Sequence, residues 1–379
     1  MSDSDPPAQP SLPWRIASAS VMGSVGVFAR VFMNGFNTLE VTGLEGLLGV
    51  LDRRKREGRE RGLLTVCNHV AVYAMPCQSN ATLDDPLIWG MLPMRYFFDA
   101  VNMRWGLGAH DICFKNKATS TFFSLGQVLP THRLWYSPYG GLYQPTMTQA
   151  IKLLSGPSPA SWSTASDSPL SATPASTRPP PVPQPLFFST NGVDQFPAPP
   201  AYSAYRNAWV HVFPEACCHQ SPESGLRYFK WGVSRLILES DPAPEFIPMF
   251  VHGTQHIMAE DRGWPRWAPR VGKTVKIVIG EPTDVDQLFG PQRVAWRKLV
   301  AKGDPELLRN SPEATELRIS VARRVRDEVE KLRESAGFPA EKDEAPALAE
   351  TWAKDPLRTK FKSPVDGSLV NRHGPKEHP

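Results

Sequence analysis

A series of short, unbroken apolar runs, each closed by a turn signal, limits what this chain can fold into. GLLTV over Gly62–Val66, AWVHVF from Ala208, EFIPMFV over Glu245–Val251 and KTVKIVIG over Lys273–Gly280 are five to eight residues long and rich in β-branched and aromatic side chains. Runs of this length and content read as buried strands. Leu39 with Val41, and the VLP after TFFSLGQ, read as two further short strands. Between them stand stretches with helical spacing. One begins near Pro145. Another is Ser311–Ala336, with Ser311 as N-cap, Pro312 at the first helical position and a stripe of Leu317, Val321, Val325, Val329 and Leu332. LRYFKWGVSRLIL, Leu226–Leu238, reads as an amphipathic basic helix. Strand alternating with helix predicts a single α/β domain, a mixed sheet flanked by helices.

Composition marks where that domain is interrupted. Of the 39 prolines, 12 fall between Gly156 and Arg206 among serines, threonines and alanines, with almost no charge, the make-up of a disordered insertion. The expected organisation is therefore a disordered N-terminus (1–13), a membrane-binding helix (14–37), a domain in two parts (38–155 and 207–338) around the insertion (156–206), and a mobile tail (339–379). The 14–37 segment holds fourteen uncharged residues between Arg15 and Arg30, then resumes with Val31, Phe32, Met33 and Phe36. It reads as an interfacial helix lying in the headgroup layer, Trp14 and the arginines at its edges, rather than a span broken by a charge. A net charge of +4 suits a surface resting on anionic lipid and is too weak to indicate nucleic acid. Five cysteines without paired spacing read as reduced thiols. The first thirteen residues resemble neither a secretory signal nor a transit peptide, so any organelle address is expected to be internal.

Three polar groups each follow a predicted strand: Asn68–His69 with Asp84, Asp85 and Pro86 further on; His132–Arg133; and Pro214–Glu215. Open α/β sheets place their chemistry at such strand ends. An imidazole held by a carboxylate takes a proton from a hydroxyl near neutral pH. The ordinary alternatives are a satisfied core histidine and an acidic pair that caps a helix at Pro86. No GxSxG elbow is present, so a serine nucleophile is not expected. No metal site is expected either: Cys217, Cys218 and His219 with His211 are too closely adjacent to ligate one ion together, and His252 and His256 flank a glycine in a strand context.

Asn68–His69 with LDDP, and FPE at Phe213–Glu215, resemble the signatures of the glycerolipid acyltransferase superfamily. WRIASASVMG, LDDPLIWG, MRW at Met103–Trp105, DICF at Asp111–Phe114, FFSLG at Phe122–Gly126 and FKWGVSRLI place the resemblance nearest its mitochondrial phospholipid–lysophospholipid transacylases, over 14–154 and 208–288. The resemblance implies His69 as base and Asp84 as its orienter. It implies Asn68, Asp85, Gly126, Arg133, Phe213, Pro214 and Glu215 around the substrate: Gly126 and Arg133 at the phosphate, Glu215 at the glycerol or headgroup. It further implies no cofactor, a phospholipid membrane as partner, and cardiolipin, monolysocardiolipin, phosphatidylcholine and lysophosphatidylcholine as substrates, at mitochondrial membranes, peripherally and facing the intermembrane space. The related activities are a coenzyme-A-dependent lysophosphatidate or glycerophosphate acyltransferase and a catalytically impaired peripheral membrane protein. Two departures stand out. The family spaces histidine and aspartate by four residues, whereas fourteen separate His69 from Asp84 here; deleting Ala71–Asn80 restores the pattern. Either that segment loops out with the contact kept, at a few kcal/mol of ordering entropy, or it derives from a retained short intron, which is the favoured reading. Ala216 stands where the family commonly has glycine.

Overall fold

A computed structural model describes residues 9–70, 72–74, 80–82, 84–133, 137–156, 186–218, 220–221, 223–259, 263–265 and 268–353. Its centre is a mixed sheet of the apolar runs. β1 (Thr38–Thr42), β2 (Leu63–Cys67), β9 (Trp209–Val212), β10 (Glu245–His252) and β11 (Thr274–Ile279) lie in the order β1-β11-β10-β2-β9. β10 runs parallel to β2 and β2 parallel to β9, so three strands end on one edge. A parallel bridge from Trp105 to Val210 continues the sheet into β5 (Gly106–Ala109) and its parallel partner β6 (Val128–Thr131). β12 (Thr283–Asp284) pairs antiparallel with β10. Two small hairpins, β3 (Val72–Ala74) with β4 (Asn80–Thr82) and β7 (Phe187–Phe188) with β8 (Phe196–Pro197), stand apart from it.

Helices cover both faces, because residues alternate between two apolar clusters along the central strands β2, β9 and β10. Leu64, Val66 and Val210 face one cluster, together with α6 (Pro145–Leu154), α7 (Gly232–Glu239), α9 (Val285–Ala301) and α11 (Pro312–Ser335). Leu63, Cys67 and Trp209 face the other, against α1 (Leu12–Gly35), α2 (Leu44–Glu57) and α3 (Asp84–Ile88). Shorter helices complete the chain: α4 (His110–Cys113), α5 (Lys117–Leu125), α8 (Thr254–Ile257), α10 (Pro305–Asn310) and α12 (Ala349–Ala353). α11 begins as its sequence indicates, the Ser311 hydroxyl accepting the Ala314 N–H at 3.1 Å.

α1 is 24 residues, long and apolar enough by length and composition to cross a membrane. One of its faces packs on the domain. Gly26 lets the Phe97 ring approach so closely that a Cβ would lie 2.4 Å from it. Arg30, the charge inside the apolar run, donates to the carbonyls of Leu92 (2.7 Å), Met91 (3.3 Å) and Gly90 (3.4 Å). Leu12, Ile16, Phe28 and Val31 are left exposed.

Three expected boundaries move. Residues 186–206, read as the end of a disordered insertion, fold: Phe188, Phe196, Ala201 and Tyr205 are buried in the main core. Residues 157–185 lie outside the described residues. The expected tail is folded as far as 353, where Arg326 pairs with Glu341 and Trp352 packs against the Arg227 guanidinium. Residues 226–231 are not helical; helix begins at Gly232. Their apolar side chains Leu226, Tyr228 and Phe229 are buried, and α11 claims their backbone: Arg326 donates to the carbonyls of Arg227 (3.0 Å) and Leu226 (2.9 Å). A helix over 226–231 would use those carbonyls internally.

Candidate active site

The shared edge of β2, β9 and β10 carries the residues singled out in sequence. Asn68, directly after β2, acts as an extra rung to β10. Its side-chain amide donates to the Val251 carbonyl at 2.9 Å, and its carbonyl accepts the Val251 N–H at 2.8 Å. Both ends of the amide are thus used to fix the backbone on which His69 stands.

His69 donates from Nδ1 to Asp84 Oδ2 at 2.8 Å. The same oxygen accepts the Val70 N–H at 2.7 Å, and Oδ1 accepts the Thr254 hydroxyl at 2.7 Å. Asp84 is fully buried in the first turn of α3, where the helix dipole favours a negative charge. With Nδ1 carrying the proton, Nε2 presents the lone pair. The inserted segment does not prevent this contact. Val72 pairs with Thr82, Tyr73 with Ala81 and Ala74 with Asn80, so the insertion leaves and returns at one place. The contact is therefore kept with the segment present, whatever the origin of Ala71–Asn80.

β9 delivers Phe213, Pro214 and Glu215 beside the pair. The Phe213 ring stacks on the His69 imidazole, centroids 4.5 Å apart. Glu215 is buried; one oxygen accepts the His69 N–H at 3.1 Å and the other the Arg227 N–H at 3.3 Å. Burial pushes its carboxyl up to about 7, against the opposing pull of those N–H groups, His69 and Arg227. Pro214 accepts Lys230 N–H through its carbonyl at 2.9 Å. Ala216 sits at φ 51°, the left-handed region that favours the glycine common at this position.

The other expected residues are engaged differently. Asp85 does not cap: it pairs with Arg104 and accepts the Trp89 indole N–H at 3.0 Å. Gly126 ends α5, and its carbonyl accepts from Arg104 at 3.2 Å. Arg133, beyond β6, forms an ion pair with Asp111, its Nε donating at 3.0 Å. Three strand spacings separate β6 from β2, roughly 14 Å at about 4.8 Å each. The fold therefore gathers His69, Asp84, Phe213 and Glu215, and places Arg133 further along the same edge.

Sequence reading missed Thr254, Arg104 and His211. Thr254 is 170 positions from the carboxylate it holds, and nothing local marks it. Arg104 lay in the quoted MRW stretch without an assigned role. His211 is buried, its Nδ1 at 2.7 Å from the Thr65 hydroxyl and its ring edge-on to Phe213 at 4.6 Å. Burial, with help from Arg104 and His69, holds its pKa well below the usual imidazole value, so it stays neutral beside the site.

Comparison with known proteins agrees with the sequence motifs. The chain is 33% identical to the tafazzin of Saccharomyces cerevisiae over 377 residues, 95% of this chain and 88% of that protein. It is 27% identical to the tafazzin of Drosophila melanogaster over 283 residues, 74% of this chain and 55% of that one. Among solved structures, the 1-acyl-sn-glycerophosphate acyltransferase of Thermotoga maritima aligns over 77% of this chain and 80% of its own, at 15% identity and a TM-score of 0.37. No protein-family model matches the sequence. The chain belongs to the tafazzin family of glycerolipid acyltransferases and is a phospholipid acyltransferase.

Proposed function

We propose that the chain is a transacylase that moves fatty acyl groups between phospholipids and lysophospholipids, remodelling cardiolipin from monolysocardiolipin without coenzyme A. The observation that carries this reading is the 2.8 Å contact between His69 Nδ1 and Asp84 Oδ2, formed across fourteen intervening residues.

His69 Nε2 takes the proton from a hydroxyl of the lyso-lipid as its oxygen attacks the acyl ester carbonyl of the donor phospholipid. Asp84 holds the tautomer and stabilises the imidazolium. The tetrahedral intermediate collapses, the donor's glycerol oxygen leaves, and His69 returns the proton to it. The acceptor gains the acyl group and the donor becomes the lyso-lipid, so protons and acyl groups balance with no covalent enzyme intermediate and no cofactor. Glu215 and Pro214 shape the turn beside the imidazole, Glu215 facing the polar glycerol or headgroup. Phe213 fixes the plane of the His69 ring. Asn68 and Asp85 support the site through Val251 and Arg104. Gly126 and Arg133 serve the phosphate; for Arg133, that role requires release from, or sharing with, Asp111. The exposed face of α1 rests on the bilayer that supplies both substrates. Peripheral attachment to a mitochondrial membrane, facing the intermembrane space, rests on the family likeness.

The deciding experiment incubates purified protein with labelled phosphatidylcholine and monolysocardiolipin, with and without acyl-coenzyme A. Label reaching cardiolipin in both arms supports transacylation. Transfer seen only with acyl-coenzyme A assigns the chain instead to the coenzyme-A-dependent acyltransferases.

A further inference from the structure

Beyond the catalytic pair, three potential metal ligands converge at the far end of the same sheet edge. β5 and β6 pair in parallel with Ala109 opposite Thr131, so the next residue of each strand, His110 and His132, emerges side by side. Their rings stack with centroids 4.1 Å apart. The third group, Asp194, arrives from the folded segment that follows the Pro/Ser-rich insertion. One Asp194 oxygen lies 3.3 Å from His110 Nε2 and 3.7 Å from His132 Nε2, and the three ligand atoms all fall within 4.8 Å of one another. Two ligands of a tetrahedral zinc ion stand about 3.3 Å apart, as bonds of about 2.0–2.1 Å require.

We propose that His110, His132 and Asp194 form a binding site for one divalent ion of the zinc class, which fastens the returning end of the insertion to the sheet edge. Two imidazoles and a carboxylate are the borderline donors that such ions prefer, and three protein ligands leave a position for water. The surroundings are built as a metal site's are. His132 Nδ1 lies 2.8 Å from the Ser137 hydroxyl, a partner that fixes the ring, while Nε2 donates to the Thr190 hydroxyl at 2.6 Å, a proton that a bound ion would replace. Hydrogen bonds from Thr190, Ser189 and Asn191 converge on the Asp194 carboxylate and fix its position. The Thr190 hydroxyl, 2.6 Å from His132 Nε2 and bonded to Asp194, bridges two of the ligands where the ion would bind. His132 is almost fully buried, whereas His110 and Asp194 are 26% and 15% exposed, which gives the ion a way in. The expectation of no metal site rests on Cys217, Cys218, His219 and His211 and on His252 with His256; Asp194 lies instead in a segment whose composition reads as unfolded.

The test is direct zinc binding by the full detergent-solubilised chain after chelator dialysis, read by competition with a chromophoric chelator. One ion per chain is expected. Asp194→Asn and His110→Gln should each weaken binding at least about tenfold, and Ser137→Ala about 10–100-fold, as loss of an outer partner does. Cys217→Ser with Cys218→Ser should leave affinity unchanged. Cobalt(II) added to the unmutated chain should show the visible absorption of a low-coordinate ion, a readout that needs no variant to fold. Absence of stoichiometric zinc, or equal affinity in the ligand variants, overturns the proposal.

Discussion

Thr254 illustrates how much of the site rests on single side chains remote in sequence. Its hydroxyl occupies one oxygen of Asp84 while His69 and the Val70 N–H share the other. His69→Ala should lower acyl transfer by about 10²–10⁴-fold, the contribution of a positioned general base. Asp84→Asn should approach the same loss, because the tautomer is no longer fixed. Thr254→Val removes only a charge-assisted hydrogen bond of about 1.5–3 kcal/mol, so a loss of at most about 10–150-fold is expected, in kcat more than KM. Equal activity across all three variants would sink the His–Asp reading. Glu215 makes a second prediction. Its folded-state value of about 7 stands above the ordinary 4.5. Below pH 4.5 the folded and unfolded states both hold the proton. Between 4.5 and about 7 only the folded site keeps it, so stability falls as pH rises through that window and levels off above it. Glu215→Gln should flatten this slope in denaturant unfolding followed from pH 4 to 8; an unchanged slope would show that Glu215 is not its source. Glu215 was legible after a strand and Asp84 at a helix start. Their partners were not, since a hydrogen bond between residues 170 apart leaves no local pattern.

At the scale of elements, the pairing of β3 with β4 explains how a ten-residue insertion leaves the His69–Asp84 contact intact. A hairpin returns the chain to where it left, so Val70 and Asp84 meet as they would without it. Deleting Ala71–Asn80 is therefore expected to preserve acyl transfer within a fewfold of the full chain, and a cDNA read across codons 70–81 tells which form the transcript carries. Abolished transfer on deletion would show that the hairpin contributes to the site. α11 matters for a different reason. Its arginines hold the backbone of 223–227 in place: Arg333 donates to the Ser224 and Glu223 carbonyls at 3.0 and 2.9 Å, and Arg326 to those of Arg227 and Leu226. That path sets the Arg227 N–H against Glu215. The valine stripe of α11 was readable from periodicity. The role of the arginines on the same helix was not, because long cationic side chains look equally at home in solvent.

For the whole molecule, α1 presents two unlike faces, one packed on the domain and one exposed and apolar. Ser18, Met22, Gly26 and Ala29 face the protein, with the Ser18 hydroxyl donating to the Leu125 carbonyl at 2.6 Å. Leu12, Ile16, Phe28 and Val31 are exposed along the other side. Replacing those four α1 residues with Asp should release the protein from cardiolipin-containing liposomes in a flotation assay while leaving its far-ultraviolet circular dichroism unchanged. Undiminished flotation would refute membrane contact through this face. Sequence by itself determined the strands, the helix alternation and the strand-end positions of His69, Pro214 and Glu215. Those features are encoded locally, in runs of apolar residues and the turns that close them. Tertiary structure alone decided that the Arg30 charge docks on carbonyls, that residues 186–206 and 339–353 fold, and that His69 reaches Asp84 across an insertion. Each of these depends on partners far away in the chain, and composition is blind to partners.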